Sequence, residues 1–331
     1  MKRTAPVIAG LALALVLTAC GGSSGGDTGS SGSGSGSGSD SGSKVLGIVT
    51  ITATDSNNAK VIKGATAAAE EEGWTVKVVD AQGNADQANS AMRTFATQKV
   101  GMIFDLVFPV TSLGAGLAAA RAADIPVATW GGGSGDGVVM TTGDGAPFAQ
   151  PSVDALVDAM GDSGKVLALT YRTGQVCRDR EGILDEALAD KPGITVTKNE
   201  VNIPGFLQDG AKYANSWLAK NPKGSGNLAI WGCWEDPTLG AISTLKQQKR
   251  TDVLTYGING SAQAIKAVQA GDLTSTVWED GEKEGATMFT TTLEAIAAGD
   301  SWEPKTVDVP GVLVSTDTVE QFLSEHPDAI S

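Results

Sequence analysis

Histidine is almost missing. The chain has one in 331 residues, His326, and it lies in the C-terminal tail. No Ser-His-Asp triad and no histidine-bound metal centre can be built around it in a central cleft, so the chain is not expected to be an enzyme or to hold a metal or cofactor. Positive charge is also short. Lys and Arg total 24 against 38 Asp and Glu, a net charge of −14, which becomes more negative if Lys2 and Arg3 are removed. That balance disfavours nucleic acid and anionic lipid surfaces as partners. A membrane-spanning run is lacking, because the apolar stretch 6–17, PVIAGLALALVL, is too short to be a permanent span. The glycine-rich GGGSGDG at 131–137 lacks the Lys-Ser/Thr of a phosphate loop and reads as a turn.

The N-terminus reads as a sorting signal. Lys2 and Arg3 precede the apolar run, and LTAC follows at 17–20. A short apolar run ending in Leu-x-Ala-Cys resembles a bacterial lipoprotein signal. The resemblance implies removal of residues 1–19, acylation of Cys20 and anchoring of an extracytoplasmic chain to the cell membrane. An ordinary secretory signal with an incidental cysteine would give the same side of the membrane. Residues 21–43 are almost wholly Gly and Ser. They bury no apolar surface and read, with Cys20, as a tether reaching ~25–30 Å. Beyond Cys20 two cysteines remain, Cys177 and Cys233, a pairable number in an oxidising compartment.

From Lys44 onward short apolar runs alternate with amphipathic ones. Strands are expected at 44–51, 74–80, 100–107, 125–130 and 137–142, with helices at 58–73, 85–99 and 109–124. The alternation then restarts, with strands at 165–171, 194–201, 227–232, 252–258 and 273–279 and helices near 178–190, 208–220, 237–249 and 261–270. Such alternation gives parallel sheets covered by helices, and the length exceeds one core. We therefore expect an α/β fold of two Rossmann-like lobes: 44–145 with 280–304, and 146–279 with 305–331. A last helix at 282–298 follows the second run and can return to the first lobe.

Four stretches carry a family resemblance: NNAKVIKGATAAAEEEGWTVKVVDAQGNADQANSAMRTFATQKVGMIFD, AADIPVATW, WEDPTLGAISTLKQ and YGINGSAQAIKAVQAGDLTSTVWED. They resemble the periplasmic sugar-binding proteins of ABC importers, of the ribose- and galactose-binding type with a core shared by LacI-type repressors. The most specific piece is G-x-[ND]-G-x4-[IL]-x-A-[VI]-x-x-G, matched at 257–271. The resemblance implies the type I periplasmic binding protein fold, with a three-strand hinge and a solute held between closing lobes. It agrees with the general rule that open parallel sheets bind ligands beyond their strands' carboxyl ends.

Candidate ligand residues therefore follow the strands: Asp55, Asn57, Asn58, Asp105 and Trp130 in the first lobe, and Arg178, Arg180, Trp234, Asp236 and Asn259 in the second, with Glu279 at the hinge. Planar polar groups suit vicinal hydroxyls, and indole faces suit the C–H side of a sugar ring. Trp130 and Trp234 are expected to flank the guest, although Trp231 and Trp234 also fit core packing. One of Arg178 and Arg180 is expected to reach the ligand while the other pairs with Asp179 or Glu181. Asp236 also fits the ordinary start of a helix at Pro237. Several family positions are changed: Asn57 and Asn58 stand where aromatics are common, Gly131-Gly132 where Asp-Arg is, Trp234 where Asn is, and Asn259 where Asp is. The family arginine falls on or beside Cys177. Cys177 follows the first strand of the second lobe and Cys233 the third. Those strands are neighbours in the doubly wound order, so a Cys177–Cys233 bridge is within reach.

The expected partners are a small sugar or polyol and an ABC permease, with the chain monomeric and touching the membrane through its lipid alone. The alternative is a lipoprotein presenting a non-sugar solute or signal to a receptor or sensor. A LacI-like repressor would need a basic helix-turn-helix before residue 44, where this chain has its Gly/Ser tract.

Overall fold

A computed structural model describes residues 43–143 and 145–330. The expected signal, Cys20 and the expected tether as far as residue 42 lie outside the described residues. The chain runs β1 (Ser43–Thr50), α1 (Ser56–Glu71), β2 (Thr75–Asp80), α2 (Ala85–Thr97), β3 (Val100–Leu106), α3 (Gly114–Ala122), β4 (Val127–Trp130) and β5 (Val138–Gly143). It continues α4 (Ala146–Met160), β6 (Gly164–Thr170), α5 (Gln175–Leu188), β7 (Ile194–Glu200), α6 (Phe206–Lys220), β8 (Leu228–Gly232), α7 (Glu235–Gln247), β9 (Val253–Tyr256), α8 (Ala262–Gln269) and β10 (Ser275–Trp278). It ends α9 (Gly281–Ala298), β11 (Lys305–Asp308), β12 (Val312–Ser315) and α10 (Val319–Glu325).

The strands form two sheets of six, in the orders β11-β5-β4-β3-β1-β2 and β12-β10-β9-β8-β6-β7. Among the described pairings β10–β12 is the antiparallel one. The C-terminal halves of β1 and β6 are fully buried, as strands covered by helices on both faces require. Leu46, Ile48, Met102 and Phe104 fill the first core, and Leu167, Leu169, Ile230 and Trp231 the second. Polar residues set the helix starts. Asp55 accepts from the Asn57 and Asn58 N–H groups at 3.0 and 2.9 Å, Asn84 opens α2 and Ser261 opens α8 in the same way, satisfying otherwise orphaned donors.

Helix α4 was not expected. Of its two prolines, Pro147 sits in the first turn, where no N–H partner is needed. Pro151 forfeits a single helical bond while Phe148, Val153 and Leu156 bury one face.

The chain passes between the sheets three times: from β5 to α4, from β10 to α9, and from β11 to β12. The expected return to the second lobe at residue 305 is corrected here. β11 pairs in parallel with β5 from Lys305–Met140 to Asp308–Gly143, so the change of sheet falls at 309–311. Helix α9 returns to the first sheet and packs very closely on α1. A Cβ on Gly285 would fall 2.0 Å from the Val61 oxygen, and one on Gly64 would fall 1.8 Å from the Glu282 oxygen. Among the described residues no helix is long and apolar enough to cross a membrane.

Candidate functional site

Both sheets direct the carboxyl ends of their strands at one cleft, a cavity of ≈ 40 Å³. Its first-lobe wall comes from residues just after β1, β3 and β4, including Thr52, Asp55, Asn58, Val107 and Trp130. The opposite wall follows β6, β8 and β9 and includes Tyr171, Cys177, Arg180, Trp234 and Asn259. The lobes meet over it: the Gln175 N–H donates to the Val107 oxygen at 3.3 Å. Gly83 lies against Tyr171, where a Cβ would come 2.8 Å from the phenol oxygen. Val107 holds φ at +80°, a costly conformation for a β-branched residue and one that tends to occur where a binding loop is over-determined.

Arg180 is the buried centre of the second-lobe wall. It is 1% exposed and donates to the Cys233 oxygen at 2.8 Å and to Asn259 Oδ1 at 2.9 Å. Its guanidinium lies over the Phe148 ring, 5.3 Å from the centroid, a favourable cation–π geometry. Asn259 adopts φ of +112° while its N–H donates to the Val277 oxygen at 2.8 Å. That anchors the receiving amide beside β10. Arg178 faces elsewhere, donating to the Arg172 oxygen at 2.9 Å and to Gln175. The surface partner of Glu181 is Arg172, at 2.7 Å, together with Lys198 at 2.8 Å.

Acidic groups stand on both sides of the cleft, Asp55 across from Arg180 and Asp236 and Glu235 on its own lobe. Burial pushes the Asp55 carboxyl up, offset by the Asn58 and Asn57 N–H groups and by the Arg180 charge. Asp236, in the first turn of α7, is pushed up to about 8 by burial and then by the charges of Asp55 and Glu235. Asp55 and Asp236 therefore sense each other from opposite lobes. Asp236 is not itself part of the cavity lining. Glu235 is a structural carboxylate. It accepts from the Gly260 and Ser261 N–H groups at 2.8 and 2.7 Å and from the Thr276 hydroxyl at 2.9 Å, and burial pushes it up to about 7.

Trp130 and Trp234 line the cleft from opposite lobes. The Trp130 indole N–H is committed to Glu284 at 2.6 Å, which leaves the ring as its contribution. Trp234 is held edge-on by Tyr171 and Phe206, with centroids at 6.2 and 5.7 Å. Trp231 is fully buried in the second core. Asn58 reaches back to the Thr52 oxygen at 2.7 Å and lines the cavity.

Other expected site residues lie outside the cavity lining. Asn57 donates to Glu279, tying the start of α1 to the β10–α9 crossing. Asp105 is fully buried under Gly132, where a Cβ would fall 2.4 Å from its Oδ2. Burial pushes its carboxyl well up, only partly offset by the Phe108 N–H. Sequence reasoning missed Val107, Val176, Ile203 and Phe148, whose only signal was ordinary apolar patterning. Among the described residues no group of His, Cys, Asp and Glu could hold a metal ion.

Cys177 and Cys233 form a disulfide with Cα atoms 5.2 Å apart. β6 and β8 are direct neighbours, as the doubly wound order requires. The bridge ties the first turn of α5, which carries Arg180 one turn on, to the loop that carries Trp234.

Comparison with known proteins agrees with this architecture. The periplasmic binding protein domain matches residues 46–301. The ribose import binding protein RbsB of Haemophilus influenzae is 24% identical over 262 residues, covering 73% of this chain and 82% of that protein. A xylitol-binding protein of Mycolicibacterium smegmatis is 26% identical over 219 residues, covering 60% and 59%. An ABC transporter solute-binding protein of Agrobacterium vitis, solved with bound allitol, superposes with a TM-score of 0.78 at 24% identity, covering 86% of this chain and 99% of that one. With two mostly parallel sheets, three crossings between them and a family match over most of its length, the chain belongs to the periplasmic binding protein domain family.

Proposed function

We propose that this chain is an extracytoplasmic lipoprotein, anchored through Cys20, that captures a sugar or polyol between its lobes and hands it to an ABC permease without chemically altering it, acting as a monomer. The observation that carries the reading is the buried Arg180–Asn259 pair opposite Asp55, flanked by indoles from both lobes. Such a set offers planar donors and acceptors to vicinal hydroxyls and apolar faces to the ring or chain carbons. A xylitol-binding relative and a solute-binding protein solved with bound allitol support the same ligand class. Because the guest touches both lobes only when they are closed, it shifts the population toward closure.

A thermal-shift screen of sugars, polyols and amino acids tests this directly. A true guest at one hundred times its Kd adds about 2.7 kcal/mol, which raises Tm by roughly 4–5 °C for a protein of this size. A response to amino acids with silence from every sugar and polyol would overturn the reading.

A further inference from the structure

Trp130 is a cleft residue held from the hinge side. It ends β4, lines the cavity and is 2% exposed. Its indole N–H donates to Glu284 Oε2 at 2.6 Å. Glu284 lies in the first turn of α9, just beyond the β10–α9 crossing, and is buried without lining the cavity. A helix start favours a negative group, and a carboxylate makes the stronger kind of hydrogen bond. The core does not require such an acceptor. Trp231 is fully buried in the second lobe, and among the described residues its indole N–H has no partner. A buried carboxylate is also a weak source of stability, because its desolvation cost can exceed what it gains. Fixing the direction of the ring is the role that the geometry leaves to it.

The anchor is itself firmly held. A Cβ on Gly281 would fall 2.7 Å from Asn57 Oδ1, and one on Gly285 would meet the Val61 oxygen. At the same crossing Glu279 accepts from Asn57, the neighbour of Asn58 in the first turn of α1. Segment 279–285 therefore keeps the Trp130 indole in register with Asp55 and Asn58, which line the same wall of the cleft. We propose that Glu284 is a positioning residue for guest binding: without touching the guest, it sets the Trp130 ring before the guest arrives. The inference rests on the proposed reading of the cleft as the binding site and does not depend on the class of guest. A ring left free would have to be ordered at the moment of binding, which weakens affinity roughly fivefold.

The test is calorimetric titration of the whole chain with ribose, xylitol and allitol as probes. Glu284→Met keeps the length of the side chain and removes the acceptor, so a probe that binds should bind roughly fivefold more weakly. Glu284→Gln keeps an acceptor oxygen and should stay within twofold of the parent. Trp130→Phe has no N–H to anchor, so adding Glu284→Met to it should change the affinity less than twofold. A carboxylate with a merely structural role would lower the unfolding midpoint and leave the probe's affinity unmoved. Binding by Glu284→Met within twofold of the parent, or an equal loss in the Trp130→Phe background, overturns the inference and leaves the cleft reading standing. Silence from the three probes with a thermal response to an amino acid overturns the sugar or polyol reading alone, and the same variants titrated with that amino acid decide the role of Glu284. Silence from every compound overturns both.

Discussion

Opening the Cys177–Cys233 bridge gives a sharp test of the second lobe. The bridge closes a loop with a sequence separation of 56. In the chain-entropy model such a closure removes about 14 cal/mol/K from the unfolded ensemble, or about 4 kcal/mol at 25 °C. Unfolding entropy scales with length at about 2.1 cal/mol/K per residue, so the whole described chain unfolding as one unit loses about 7 °C in Tm. If the second lobe melts alone, its entropy is about half as large and the same loss costs about 14 °C. Calorimetry on the Cys177→Ser/Cys233→Ser chain therefore reads both the contribution of the bridge and the size of the cooperative unit. The bridge also holds Arg180 in register with the loop bearing Trp234, so the stabilisation added by a bound sugar should shrink in the same variant. A double variant that melts within about 2 °C of the parent would refute the reasoning, since neither unfolding scheme permits it.

Three other outcomes are expected. Arg180→Met removes the buried donor to Cys233 and Asn259 and should weaken the guest identified by the screen roughly 100-fold in calorimetry; a loss under threefold would place Arg180 outside recognition. A carboxyl whose folded pKa is raised binds more protons folded than unfolded, so with Asp236 raised from 3.8 to about 8 the stability it contributes is complete below 3.8 and lost as pH climbs through that window. Asp55, Glu235 and Arg180 are the charged groups it faces or reaches through Asp55; the unliganded Tm should fall more steeply from pH 5 to 9 in the parent than in Asp236→Asn, and parallel curves would reject the cause. Gly285→Ala forces a methyl toward the Val61 oxygen and should cost about 1–3 kcal/mol, seen as a lower denaturation midpoint, whereas an unchanged midpoint would show that α1 and α9 separate freely.

Most of the fold was legible because its signals are local and repeated. Runs such as KVLGIVTI and KVLALTY read as buried strands, and the intervening helices carry their own caps at Asp55, Asn84 and Ser261. The bridge was legible because strand order alone brings the ends of β6 and β8 together. What failed was where local chemistry and tertiary demand disagree. Pro151 argues against a helix, yet the buried face of α4 outweighs one missing hydrogen bond. The tail 305–308 looks no different from 312–315, and only the partner sheet's free edge decides that β11 completes the first lobe.

The candidate site divides along the same line. A position after a strand is enough to bring Asp55, Asn58, Trp130, Arg180, Trp234 and Asn259 to the cleft, because the parallel sheet points every such loop the same way. Position alone does not set side-chain direction. Asn57 and Asn58 are adjacent, yet the 100° step of the helix sends one to Glu279 and the other to the cavity. Arg178 and Arg180 part for the same reason, two residues being more than half a helical turn. Asp105 ends its strand as expected but points beneath Gly132. A carboxyl fits there because that loop residue has no side chain, a Cβ on Gly132 falling 2.4 Å from the Asp105 Oδ2. On the facing wall Cys177 bridges Cys233 and Asn259 receives the Arg180 guanidinium.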